Sequence, residues 1–165
     1  VGHEVARRGW RLVYGGGSWG LMGTVAYAAM EAGADVIGVM PRSMTALEGA
    51  CQCVGDLRIV GSMHERKATM VELSDAFLAL PGGLGTFEEL MEVATWGQIG
   101  QIDKPLGLLN VAGYYEPLLA MLDHAVAEGF LKPATRASLL VDGEVAPLLD
   151  RLAATRLAYV DKWKP

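Results

Sequence analysis

Three short stretches hold the residues able to do chemistry. The first is Pro81-Gly82-Gly83-Leu84-Gly85-Thr86-Phe87-Glu88-Glu89, which follows an apolar run and leads into a helical pattern. Glycines let backbone N–H groups approach an anion closely, and a new helix adds unsatisfied donors and the positive end of its dipole. Such a turn is a cradle for phosphate. A triphosphate P-loop does not fit, because no Lys follows the last glycine; a monophosphate does. Glu89 has two readings. Thr86-x-x-Glu89 has the spacing of a capping box, in which the carboxylate returns to the helix-start amide. Alternatively the carboxylate projects into a crevice and meets hydroxyls or water, and the spacing does not choose between the two.

The second stretch, Ser62-Met63-His64-Glu65-Arg66-Lys67, opens another helix. Ser62-x-x-Glu65 is again a capping-box pattern, which makes Glu65 structural. Arg66 and Lys67 put two cations in an early helical turn, where the dipole disfavours them unless an anion visits; the alternative is a solvated charged face. His64 has no second His or acidic cluster at metal spacing, so no metal site is assigned. In the third stretch, Gly15-Gly16-Gly17-Ser18-Trp19-Gly20 fits G-x-G-x-x-G literally. The acidic residue of a dinucleotide site should close the next strand, whereas Asp35 opens it. The glycines therefore either let a loop turn tightly beneath a helix or form a ligand wall in which Gly16, Gly17 and Ser18 take part. Met63, Met70, Met91 and Trp96 recur at helical spacings that bury a stripe, or line an apolar base pocket. Trp19 could stack on a base.

The elements that must position these stretches follow from the apolar pattern. Continuous apolar runs at 12–14, 36–40, 57–60, 76–80, 106–110 and 139–141 read as strands, and helical patterns lie at 24–32, 63–73, 87–98, 114–128 and 145–154. Runs that do not alternate in polarity suit strands buried on both faces, so the expected fold is α/β: a doubly wound, Rossmann-like parallel sheet with helices on both sides, in one domain. Ligands bind such a sheet at the carboxyl ends of its strands, and both Gly-rich turns are expected there, facing one crevice. Residues 1–8 read as helix, so a strand and its loop are expected to precede Val1.

Composition bounds the function. The 165 residues, 52% hydrophobic and 20% charged, suffice for one buried core. No apolar run nears the roughly 20 residues of a membrane helix. A net charge of −5 with no Lys/Arg run argues against a nucleic-acid polymer but allows a small anion held locally. Cys51 and Cys53, one residue apart, suit neither a disulfide framework nor a four-ligand zinc site, so reduced thiols in the cytoplasm are expected.

Four blocks in order, Val13-Tyr14-Gly15-Gly16-Gly17-Ser18 with Gly20-Leu21-Met22-Gly23, Met63 to Lys67, Pro81 to Glu89, and Asp103-Lys104-Pro105 with Leu108-Leu109-Asn110, give the chain its resemblance to a known family. It resembles the Lonely Guy proteins, cytokinin riboside 5′-monophosphate phosphoribohydrolases long labelled lysine decarboxylases. The resemblance implies a Rossmann-like homodimer that hydrolyses the N-glycosidic bond of nucleoside 5′-monophosphates without a cofactor. It implies Arg66 and Glu89 as the catalytic pair, and thereby favours the functional reading of Glu89. Lys67 and Gly82, Gly83, Leu84, Gly85, Thr86, Phe87 and Glu88 would surround the nucleotide, with Glu48 and Thr95 at further substrate-binding positions. Relatives normally begin with a strand and a Cys-Gly-Ser-Ser-like turn that adds to the site, and many carry a smaller residue at Trp19, whose bulk would narrow the base pocket. No lysine has an evident pyridoxal-phosphate context. The alternatives are a broader purine-monophosphate nucleosidase and a nonenzymatic carrier of a phosphorylated pterin, the molybdenum cofactor.

Overall fold

The computed structural model describes residues 1–46 and 56–156. Glu48, Cys51 and Cys53 lie outside the described residues. The chain divides into two compact units, residues 1–74 and 75–165, each with its own sheet.

The first unit runs α1 (Gly2–Arg7), β1 (Leu12–Tyr14), α2 (Gly20–Glu31), β2 (Val36–Pro41), β3 (Asp56–Val60) and α3 (Met63–Leu73). Its strands form a parallel sheet in the order β1-β2-β3, with Leu12 opposite Val36 and Ile37 opposite Asp56. Successive side chains leave a strand on opposite faces, and both faces are apolar here. Tyr14 and Val36 pack with Ala26 and Ala29 of α2. Ile37 and Val39 instead pack with Val60 and, from α3, Met70 and Leu73. Helices thus cover both faces, as unbroken apolar runs require. Asp35 precedes β2 and pairs with Arg11 at 2.5 Å, an exposed ion pair at the strand's amino end.

The second unit runs β4 (Phe77–Ala79), α4 (Leu84–Gln98), β5 (Leu106–Leu109), α5 (Glu116–Ala127), α6 (Pro133–Ser138), β6 (Leu139–Asp142) and α7 (Val145–Ala154). The order β4-β5-β6 is again parallel, with Phe77 opposite Leu106 and Leu106 opposite Leu139. Leu106 and Leu108 share a core with Leu90 of α4 and with Tyr115 and Leu119. Gly107, between them, faces the other way: a Cβ there would come within 3.1–3.2 Å of Leu152 and Leu148 of α7. The strand centres fall where the apolar runs place them, and among the described residues six strands hydrogen-bond in two sets of three.

The main differences lie at helix starts. α4 begins at Leu84, three residues ahead of the expected 87, so Leu84, Gly85 and Thr86 of the Gly-rich turn are helical. α5 begins at Glu116 rather than 114, because Ala112 and Gly113 hold positive φ values of 51° and 73°. The Asn110 side chain then accepts from the Tyr115 amide at 2.7 Å, and Pro117 fits the first turn.

Candidate functional site

In the first unit the site candidates gather at the carboxyl ends of β1 and β2. Ser62 caps α3, its hydroxyl accepting from the Glu65 amide at 3.1 Å, while Glu65 accepts from the Gly61 amide at 2.7 Å. Glu65 is structural, as its spacing indicates, although it reaches one residue further back than a capping box would. The cap fixes where the next turn points. Arg66 and Lys67 then turn inward, only 8% and 7% exposed. This overturns the solvated-face alternative, since burial of Arg or Lys requires compensating partners.

The Arg66 guanidinium is held by main chain and sulfur. Nε donates to the Val39 carbonyl of β2 at 3.1 Å, and Nη1 contacts the Met63 sulfur at 3.3 Å. Nη2 lies directly over Gly15, the first residue beyond β1. Gly16, at φ +79°, sits against Gly38 and the Leu57 side chain, so its lack of a side chain has a packing reason. Gly23 likewise lets α2 close onto the Ser18 carbonyl. Gly17 is buried and Ser18 half-buried. Trp19, the residue before α2, is 72% exposed, and Met63 is exposed rather than part of a buried stripe.

In the second unit β4 leads through Leu80-Pro81-Gly82-Gly83 into α4. The first intrahelical bond runs from the Phe87 amide to the Gly83 carbonyl, so the amides of Leu84, Gly85 and Thr86 precede it and have no acceptor within the helix. Gly82 has a packing reason, because a Cβ there would overlap the Thr86 hydroxyl. Gly83 and Gly85 have none: among the described residues nothing lies within 4 Å of a Cβ at either, and neither needs positive φ. Leu84 between them is 87% exposed.

With Gly83 as the residue before the helix, Thr86 is its third residue and cannot be the cap of a capping box. The Thr86-x-x-Glu89 spacing therefore does not form a capping box at the start of α4. Glu89 is half-buried and shares a helix face with Gly85 and Thr86, at i,i+4 and i,i+3. Helical side chains lean toward the N-terminus, so the Glu89 side chain leaves the helix in the direction of that turn. From Leu84 to Glu89 the helix rises roughly 7–8 Å, on the scale of one ribose. Phe87 packs into the core, Glu88 is exposed, and the Thr95 hydroxyl turns back to the Met91 carbonyl at 2.7 Å.

Two tyrosines that no sequence motif marks also shape the site. The Tyr115 hydroxyl donates to the Leu80 carbonyl and the Tyr114 hydroxyl to the Gly82 carbonyl, each at 2.5 Å. Their rings meet edge-on at 5.2 Å. Burial, reinforced by Tyr114, pushes the Tyr115 phenol up to about 12. The Gly-rich turn is thus tied down on its upstream side by the entry to α5. Adjacent aromatics beside a glycine were the available signal, but their sequence distance from the turn hides the contact.

A cavity of about 320 Å³ lined by Trp10, Arg11 and Asp35 lies at the amino ends of β1 and β2, away from the ends where parallel sheets bind ligands. Among the described residues no three His, Cys, Asp or Glu side chains group to hold a metal, and no helix is long and apolar enough to cross a membrane.

A family model described as possible lysine decarboxylase matches residues 22–152. The chain is 54% identical over 136 residues to a probable cytokinin riboside 5′-monophosphate phosphoribohydrolase of Oryza sativa subsp. japonica, covering 82% of this chain and 61% of the relative. A cytokinin riboside 5′-monophosphate phosphoribohydrolase of Arabidopsis thaliana is 49% identical over 152 residues, 92% of this chain and 71% of that one. The corresponding protein of Rhodococcoides fascians is 52% identical over 142 residues, 86% and 72% of the two chains. The chain thus spans only 61% and 62% of the length of two rice relatives. In structure it is similar to the molybdenum cofactor binding protein from Rippkaea orientalis, with TM-score 0.66 at 24% identity over 92% of this chain and 80% of that one. The molybdenum cofactor carrier protein of Chlamydomonas reinhardtii gives 0.64 at 25%, over 93% and 84%.

Proposed function

We propose that this chain, which belongs to the Lonely Guy family of cytokinin riboside 5′-monophosphate phosphoribohydrolases, hydrolyses the N-glycosidic bond of nucleoside 5′-monophosphates to free base and ribose 5-phosphate. The observation that carries the reading is the start of α4. Gly83 and Gly85 have no packing or conformational need to be glycine, yet they flank helix-start amides with a half-buried carboxylate one turn further on. Close approach of an anionic ligand accounts for all three features.

Breaking the bond develops positive charge on the ribose ring and requires a water at the anomeric carbon. Glu89 supplies negative charge beside the sugar and orients or deprotonates that water. Leu84, Gly85 and Thr86 amides hold the 5′-phosphate, whose binding energy positions the distant reacting bond. By resemblance, Arg66 is the cation that orients the substrate, and Lys67, Glu48 and Thr95 are further substrate contacts. The same reading carries a homodimer acting in the cytoplasm, on a small nucleotide rather than a polymer or membrane.

The test is incubation of the purified protein with AMP and with its N6-isopentenyl derivative, followed by chromatography. Free base is expected from the monophosphates and far less from the matching nucleosides. Release from AMP as fast as from the isopentenyl compound would make the enzyme a broader purine-monophosphate nucleosidase. No release from either would leave the hydrolase reading without support and favour a carrier, the role named for the proteins similar in fold.

A further inference from the structure

We propose that Gly15 is a positioning residue for Arg66: its missing side chain is the seat that lets the guanidinium close down on the end of β1. This rests on the hydrolase reading for its catalytic consequence, but not for its structural one. The guanidinium is fixed from three sides. Nε is bound to the Val39 carbonyl at 3.1 Å, Nη1 touches Met63 sulfur at 3.3 Å, and Nη2 lies where a Cβ of residue 15 would be. Two of these partners cannot be removed by changing a side chain, since one is a carbonyl and the other an absence.

Gly15 differs from the neighbouring glycines in what it accommodates. Gly16 needs its positive φ and packs on Gly38 and Leu57, and Gly23 faces the Ser18 backbone, so substitutions there strain main chain. Gly15 has no positive φ, and the nearest atom to its notional Cβ is the tip of a long side chain, with Met22 sulfur next at 3.0 Å. A methyl group at residue 15 therefore leaves the backbone in place and displaces Arg66. Real contacts of this kind stay at 3.0 Å or more, so the guanidinium must retreat by about 1 Å, a misplacement that can cost 10²-fold in rate. Arg suits this seat because its planar fork uses Nε and Nη1 at once, which a lysine ammonium cannot do.

Gly15→Ala, Arg66→Lys and the double variant test the assignment in the full chain. The expected result is a loss of about 100-fold in kcat in Gly15→Ala, with circular dichroism unchanged. In the Arg66→Lys background the same Ala should cost less than about twofold, because no Nη2 remains to be displaced and the two changes are coupled. A readout independent of turnover is the Arg66 Nε–H resonance, assigned by its disappearance in Arg66→Lys; it should shift and exchange faster in Gly15→Ala. If Gly15→Ala fails to fold, adding Arg66→Lys should restore folding. The inference is overturned if Ala at 15 leaves the resonance and kcat unchanged, if it costs the same in both backgrounds, or if Arg66→Lys fails to rescue a misfolded variant. A shifted resonance in a protein whose wild type cleaves no nucleotide would uphold the seat and remove the hydrolase reading instead.

Discussion

At Gly85 the demands of the helix and of the ligand oppose each other. It occupies the second position of α4, with no described atom beyond its chain neighbours and its own helix backbone within 4 Å of a Cβ and no positive φ, so alanine fits. Gly→Ala within a helix gains about 0.5–1 kcal/mol, and for a chain this long that raises the melting temperature by roughly 1–4 °C. The same methyl group stands where a phosphate would approach. Gly85→Ala should therefore melt higher and show an increased KM for the monophosphate, with the nucleoside little affected. An unchanged KM would place the ligand elsewhere. Glu89→Gln is the complementary change: Gln has nearly the same helix propensity, so stability should hold, while loss of the proton acceptor should lower kcat by about 10²-fold or more. Near-normal turnover by a folded Glu89→Gln protein would leave the mechanism without its carboxylate.

At the scale of elements, aim depends on helix starts. α3 is fixed by the reciprocal bonds of Ser62 and Glu65, and Arg66 follows directly. Ser62→Ala should cost about 0.5–2 kcal/mol, read as a lower denaturation midpoint at unchanged slope. The strands and the α3 start were legible because their signals are local: apolar runs bounded by turn residues, and a cap with its acid three positions on. The start of α4 was not. No side chain caps it, so the local pattern puts Thr86 at its head, whereas the helix begins with the exposed Leu84. Burial of Arg66 was equally hidden, since the room for it comes from Gly15, some fifty positions upstream. Local spacing carries caps and periodicity. It does not carry the meeting of a glycine with an arginine tip, or of Tyr114 and Tyr115 with carbonyls of the Leu80 to Gly82 turn.

At the scale of the whole molecule, among the described residues each compact unit holds one tyrosine whose phenol is pushed upward by burial: Tyr14 in the first, Tyr115 in the second, the latter from 10.0 to about 12. A phenol raised on folding is neutral in the native state and ionises more readily once unfolded. Its contribution to stability is whole below pH 10 and is lost as pH climbs toward about 12. Stability should fall across that window, and Tyr115→Phe should flatten the fall by removing the ionisable group. Phenolate absorbs at a longer near-ultraviolet wavelength than neutral tyrosine, so the two units carry their own optical indicators. In an alkaline titration followed by that absorbance, Tyr14 and Tyr115 should form a late class whose appearance coincides with loss of structure. Subtracting the Tyr14→Phe trace from that of the wild type would show when the first unit opens, and the Tyr115→Phe trace would do the same for the second.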